Sequence, residues 1–367
     1  VIIDNVGLGE IGSMAAAEAK AGEGHDLALF LAPPAALEDY AIDHRDIFEE
    51  CQNRYGNVSD AILRSNYNPK TDKYYAFCES FVPTVLTYRQ DLWDAVGKSP
   101  TTWDNIRKGG RAIKLLHEAP VGISLGREHN SRHSFRAIMY AFGASVQDAN
   151  NNVVLNSSNT LEALKFGKAL YDEAMTPDML SWDPAANNRF MLSGSGCLTV
   201  DTMSIIRAAE NKQLPVNQHL ALAALPQGPV GRVGPMFGVN SYAIWRFANN
   251  ISGAKKFLLD YIGRFQEGII ASGFQNMPSF PGSVPNLAKL IGSDSRYSIL
   301  SDVPATMVNF GTPGFYNAAI DEVRRKSIIQ IMFAQVATGR KSPQDALDQA
   351  NKAILPIFEI WREAGKI

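Results

Sequence analysis

The chain has 367 residues, a net charge of −2 and a pI near 6.4; it is longer than the roughly 250 to 300 residues at which one core usually splits, so two lobes are expected. Its balanced charge gives no case for nucleic acid or an anionic membrane, both of which need clustered Lys and Arg. No apolar run reaches the roughly eighteen residues of a membrane span, and no leader pattern stands at Val1, so either a leader has been removed or earlier residues precede this sequence.

Val1–Val6 reads as a strand, the alanine-rich Met14–Ala21 as a helix stopped at Gly22-Glu-Gly24, and Asp26–Leu31 as a second strand. Such alternation predicts a parallel α/β sheet. The turn between strand and helix spells Gly7-Leu-Gly9-Glu-Ile-Gly12, a dinucleotide-binding fingerprint. That fingerprint also wants an acid at the end of the second strand to hold the ribose. Here the strand ends in Ala32-Pro33-Pro34, and its one acid, Asp26, stands at its beginning. From Ala35 to Asn68 the pattern is helical and broken at Gly56-Asn57, and Asn66–Asp72 is a polar turn. The aromatic run from Tyr74 ends at Glu79 and Ser80, and beyond Pro83 the β-branched Val85–Tyr88 resumes, so one strand leaves a first sheet and the next enters a second. A helix over Gln90–Val96 stops at Gly97, where a left-handed cap suits glycine. Ser99-Pro-Thr-Thr, with threonine hydroxyls placed to cap, opens the next helix, which runs to Glu118.

Pro120–Gly126 gives a short strand, and a helix spans Phe135–Phe142. His129 and His133 are four apart, as metal ligands on a helix would be. They lack the inner glutamate and a third ligand, so they read as polar loop residues. Asn150–Asn156 is a polar turn feeding a strand, and Ser158–Met175 is a helix capped by Ser157 or Ser158. Pro226–Gly238, with four glycines and three prolines, is a linker into a strand from Phe237 to Trp245. A helix follows from Ser252 through Ile262. Ala318–Thr338 reads as one long helix ended by Gly339, and the last helix has Ser342 at its cap, Pro343 at its first position and Asp345 in its first turn. Trp93, Trp103, Trp245 and Trp361 lie on core patterns. Cys51, Cys78 and Cys197 form no disulfide framework or zinc motif and read as buried apolar residues.

In order along the chain, several segments resemble the bacterial extracellular solute-binding proteins of family 1, the maltose- and oligosaccharide-binding components of ABC importers. They are Ala21-Gly-Glu-Gly24-His-Asp26, Tyr88-Arg-Gln-Asp-Leu-Trp93, Gly97 through Pro100-Thr-Thr-Trp-Asp104, Asn250 with Ala254, Phe257 and Leu258, and the ending Gly339, Ser342, Ala346, Leu347 and Ala350. His25 stands where the family has proline, and the family's opening strand and first helix have no counterpart before Val1. The resemblance implies an α/β, two-lobed periplasmic-binding-protein fold of type II, with a ligand cleft between the lobes and three interlobe crossings: after Glu79, at Phe237–Trp245 and at Gly273–Phe280. Residues 1–79 plus 240–274 are expected to form the N-terminal lobe and 82–236 plus 280–367 the C-terminal lobe.

The implied function is capture of a mono- or oligosaccharide by lobe closure and delivery to ABC permease subunits, in the periplasm or outside the cell, with a lipid anchor on the precursor left open. Neither catalysis, cofactor nor metal is expected. In such a cleft aromatic faces meet sugar rings, and amides and carboxylates meet hydroxyls. Phe81, Trp182, Phe237 and Tyr316, with Phe274, are the candidate stacking rings. Glu79, Asn130, Asp201, Asn240, Gln275 and Asn317 are the candidate hydroxyl partners, and Arg127, Arg132 and Arg189 leave an acidic or phosphorylated sugar open. The competing readings are a binding protein for a non-sugar solute, an NAD(P)-dependent oxidoreductase using Gly7, Gly9 and Gly12, and a glycosidase with Glu79 and Asp201 as its acid pair. No Gly-x-Ser-x-Gly elbow or His-Glu-x-x-His helix marks any other enzyme.

Overall fold

The computed structural model describes residues 1–7, 9–292 and 295–367. Helix α1 (Ile11–Ala21) ends at Gly22, which takes the left-handed conformation (φ 72°) that costs glycine little. Strand β1 (Leu27–Phe30), helices α2 (Arg45–Tyr55) and α3 (Asp60–Asn66), and a ribbon of β2 (Tyr67–Asn68) with β3 (Lys73–Tyr74) follow. Strand β4 (Phe77–Val82) is buried along its whole length. It ends at Pro83, which has no N–H to offer a ladder, and β5 (Val85–Arg89) then begins in another sheet. Glu79 therefore lies inside β4, not at its end.

The second half of the fold holds α4 (Gln90–Ala95), α5 (Trp103–His117), β6 (Val121–Gly122), α6 (His129–Ala141), α7 (Ser158–Ala174), α8 (Ala186–Leu192), β7 (Leu198–Asp201), α9 (Ser204–Asn211) and β8 (Leu220–Ala223). The chain returns through β9 (Gly234–Pro235) to β10 (Gly238–Ile244), α10 (Ile251–Gly263), α11 (Phe265–Ala271) and β11 (Met277–Pro278). It closes with α12 (Leu287–Ile291), β12 (Met307–Val308), α13 (Ala318–Arg325), α14 (Ile328–Ala337) and α15 (Pro343–Glu363). Three of these helices start where the sequence places caps: Thr102 accepts from Asn105 N–H at 3.0 Å, Ser157 from Thr160 N–H at 3.2 Å, and Ser342 from Asp345 N–H at 3.1 Å.

The first sheet runs β1-β10-β4-β11 and the second β6-β7-β5-β8. Every neighbouring pair in the first is antiparallel, and in the second only β6 and β7 are parallel. This corrects the expectation of a parallel sheet. The chain leaves the first sheet along β4 and re-enters it along β10, so the two strands run in opposite directions side by side. Val1–Val6 pairs with no strand among the described residues, and Val1, Ile2 and Ile3 are exposed; β-branched composition alone does not make a strand without a ladder partner. The long terminal helix is two helices, α13 and α14, parted at Ser327, whose left-handed backbone (φ 54°) cannot continue a helical ladder. Trp93, Trp103 and Trp245 are buried as expected, and Trp361 is half-buried, its Nε1 donating to Glu322 at 2.7 Å.

Candidate functional site

Asp201, the last residue of β7, pairs in register with Val85, the first residue of β5. Its Oδ2 accepts from Asn187 Nδ2 in α8, and Asn130 Nδ2 donates to Asn187 Oδ1 at 2.9 Å and to the Pro184 carbonyl at 3.3 Å. Asn130 is fixed because α6 begins at His129: the Glu128 carboxylate accepts from the N–H groups of Asn130 and Ser131 at 2.5 and 2.7 Å. Burial raises the Asp201 pKa to about 7, against the hydrogen bonds from Thr202 N–H and Asn187. Gln275, just before β11, donates to Thr202 Oγ1 at 2.9 Å. A side chain approaching the first sheet thus meets the residue that follows the second sheet's β7.

His129 and His133 sit on helix α6, one turn apart, and not on a loop as expected. The Glu128 cap starts the helix earlier than the apolar pattern from Phe135 suggests. Their Nε2 atoms lie 3.2 Å apart. Phe237, leading into β10, stacks on His133 at 4.5 Å and meets His129 edge-on at 4.8 Å. Phe310 also packs against His133, tilted at 5.6 Å, and the Arg324 guanidinium of α13 lies over the Phe310 ring at 5.4 Å. Burial pushes His129 down to about 3 and His133 well below its ordinary value, so both rings are neutral at pH 7. Among the described residues no three His, Cys, Asp or Glu side chains come together as a metal site.

The other expected site residues are dispersed. Asn240 Nδ2 donates to Ser80 Oγ at 2.9 Å across the β10–β4 ladder, and its buried Oδ1 has no partner among the described residues. Glu79 is buried beside Tyr242 and Tyr261, and burial raises it to about 7. Phe81 lines a cavity of about 440 Å³ with Met236, Met277, Leu300 and Met307. Trp182 is half-buried, donates to Asp178 at 3.2 Å and rests on Phe190 at 5.0 Å.

Two assignments are corrected. Tyr316 is fully buried against Phe310, with its hydroxyl donating to Asp321 at 2.8 Å, and offers no ring face to a ligand. Asn317 caps α13 by accepting from Ile320 N–H at 3.0 Å and donates to Gln147 at 2.9 Å, so its amide is already in use. Of the three arginines left open, Arg189 is exposed and paired with Asp183, Arg127 is exposed, and Arg132 turns inward. Asn187, Arg136 and Arg324 were not singled out from sequence. The i, i+3, i+4, i+7 spacing of His129, Arg132, His133 and Arg136 is the signal that brings them to one helix face.

Two four-stranded sheets, joined by the chain passing from β4 to β5 and returning into β10, make the two-lobed fold of the periplasmic-binding class. The chain belongs to the bacterial extracellular solute-binding proteins, whose family model matches residues 5–259. A Brucella abortus (strain 2308) protein named as a binding protein is 25% identical over 201 residues, 54% of this chain and 48% of that one; a Brucella suis counterpart matches equally. The chain is thus matched along about half the length of these curated relatives.

Maltose-bound MalE3 of T. maritima superposes with a TM-score of 0.79 at 20% identity, covering 93% of this chain and 87% of that one. A sugar transporter from Arthrobacter chlorophenolicus A6 with bound laminaribiose gives 0.80 at 15% identity, covering 95% and 89%. The GacH receptor of Streptomyces glaucescens, solved unliganded and with acarbose, gives 0.78 at 17%, covering 97% and 89%. At these identities the likeness is one of fold. The oxidoreductase alternative finds no support. No strand precedes Gly7 among the described residues, Leu8 of the motif lies outside them, and β1 runs antiparallel to its neighbour.

Proposed function

We propose that this chain is the extracytoplasmic receptor of an ABC importer, which closes two lobes on a carbohydrate and delivers it to membrane permease subunits. It binds and does no chemistry. Residues 1–79 plus 240–274 form one lobe and 82–236 plus 280–367 the other, a division supported by β1, most of β4 and β10 lying in one sheet and β5 to β8 in the other. The observation that carries the reading is the fold shared with sugar-loaded structures over 93 to 97% of this chain.

Within the cleft, the unpartnered Oδ1 of Asn240 accepts a sugar hydroxyl, the Asn130–Asn187–Asp201 chain and Gln275 bond others, and Phe237 and Trp182 offer ring faces. No helix of the described residues is long and apolar enough to cross a membrane. The reading is tested by calorimetry and thermal shift against maltose, laminaribiose, glucose and NAD. A sugar that binds and raises Tm by mass action is expected, with no response to NAD. Stabilisation by NAD with silence across the sugars overturns the reading.

A further inference from the structure

One face of α6 carries more cationic charge into the protein than its surroundings answer. Arg136 is 2% exposed and Arg324 8% exposed. Nε and Nη2 of Arg136, Nε of Arg324, Nε of Arg132 and Nδ1 of His133 are all buried without a hydrogen-bond partner among the described residues. Few contacts answer them: Arg136 Nη1 reaches the Arg132 carbonyl at 3.5 Å and its guanidinium lies beside the Tyr140 hydroxyl, while Arg324 lies over the Phe310 ring at 5.4 Å with its Nη1 3.8 Å from Asp321 Oδ1. Asp321 is already shared, receiving the Tyr316 hydroxyl at 2.8 Å and lying 3.5 Å from the Arg325 guanidinium. Glu128, at the start of the same helix, spends both oxygens on capping α6. Burial and the fields of Arg324 and Arg136 push even Arg132 down to about 10.

Desolvated guanidinium groups left unpaired are strongly destabilising. A native fold keeps such a cluster where something arrives to pair it. His129, Arg132 and Phe237 are half-buried, while His133, Arg136 and Arg324 lie beneath them in the interior. We propose that this is an anion subsite of the ligand cleft and that the captured solute is an acidic carbohydrate, whose carboxylate or phosphate oxygens lie across Arg132, Arg136 and Arg324 while its ring meets Phe237. The guanidinium fork matches both oxyanions bidentately, a geometry that a neutral sugar hydroxyl does not provide. The inference rests on the carbohydrate reading above for the rest of the molecule it names.

The test is calorimetry on the full chain with glucose, glucuronate, glucose 6-phosphate and inorganic phosphate, for the wild type and Arg132→Gln. One of the two acidic sugars is expected to bind about tenfold to a hundredfold tighter than glucose, and which one wins distinguishes carboxylate from phosphate. R132Q is expected to lose that preference while raising the Tm of the unliganded protein, because it removes a half-buried guanidinium that repels Arg136 and Arg324. Glucose binding as tightly as both acidic sugars overturns the anion subsite and leaves the carbohydrate reading standing. Binding of inorganic phosphate with silence toward every sugar supports the subsite and overturns the carbohydrate reading. An R132Q protein with lowered Tm and unchanged preference assigns the arginine to structure alone and also overturns the proposal.

Discussion

His44 is the sharpest place to test the energetics of the first lobe, because its ring is used on both sides. Nδ1–H donates to the Tyr74 carbonyl at 2.9 Å, and Nε2 accepts from Ile244 N–H at 3.0 Å, joining the β2–β3 ribbon to β10, the strand that carries Asn240. Only the neutral tautomer protonated at Nδ1 satisfies both bonds; a proton on Nε2 opposes the Ile244 N–H. Burial, reinforced by the charge of Lys73 and opposed by the Tyr74 hydrogen bond, lowers its pKa from 6.5 to about 4. The unfolded chain therefore takes up this proton first as pH falls. The stability contributed by neutral His44 is complete above pH 6.5, declines below it and is lost near pH 4.

At 1.36 kcal/mol per pKa unit, that loss is about 3 kcal/mol. With an unfolding entropy near 2.1 cal/mol/K per residue it corresponds to roughly 4 °C in Tm for this chain. The assay is chemical denaturation of the wild type and His44→Gln at about pH 7 and about pH 4. The buried groups His129, His133, Glu79 and Asp201 titrate in both proteins and cancel in the difference. H44Q is expected to cost about 1 to 3 kcal/mol at neutral pH and to close most of that gap in acid. Parallel pH curves for the two proteins would refute the locked-tautomer reasoning.

Further expectations follow from the packing. Trp245, fully buried edge-on to Phe30 at 6.2 Å and stacked on Phe247 at 6.1 Å, anchors the small core behind the first sheet; Trp245→Ala should cost about 3 to 5 kcal/mol by urea denaturation. Gly196 leaves the slot that Phe190 fills, since a Cβ there would stand 1.9 Å from Phe190 Cε1. Gly196→Ala should displace Phe190, shift the emission of Trp182 resting on it and lower stability by about 1 to 3 kcal/mol. Cys51 and Cys78, pushed up to about 12 by burial, and Cys197, pushed higher, are all buried. A thiol reagent should label none of them in the native protein and all three after unfolding.

The parts of the fold written locally could be read locally. Thr102, Ser157 and Ser342 announce their helices because a cap is a bond between neighbours three residues apart. Pro83 marks the passage between sheets because it removes a donor whatever surrounds it. The start of α6 was missed because Glu128, and not a serine or threonine, supplies the cap, so two helical histidines passed for loop residues. The break at Ser327 leaves no composition signal. Antiparallel pairing of β4 with β10 is set by the route of the chain and by no residue in either strand.

The site divides the same way. Asn130 and Asp201 each read as candidate hydroxyl partners, but Asn187 is what joins them. Tyr316 reads as a candidate stacking ring, and the structure uses it in the core against Phe310. Arg136 and Arg324 belong to helices far apart in sequence, and only packing makes a cluster of them.

The central claim is capture by closure, and X-ray scattering of the full chain measures it directly, alone and with saturating maltose, laminaribiose or glucuronate. At least one of these is predicted to shrink the radius of gyration as the two sheets draw together over the solute. Scattering curves that superpose with and without all three would contradict the account.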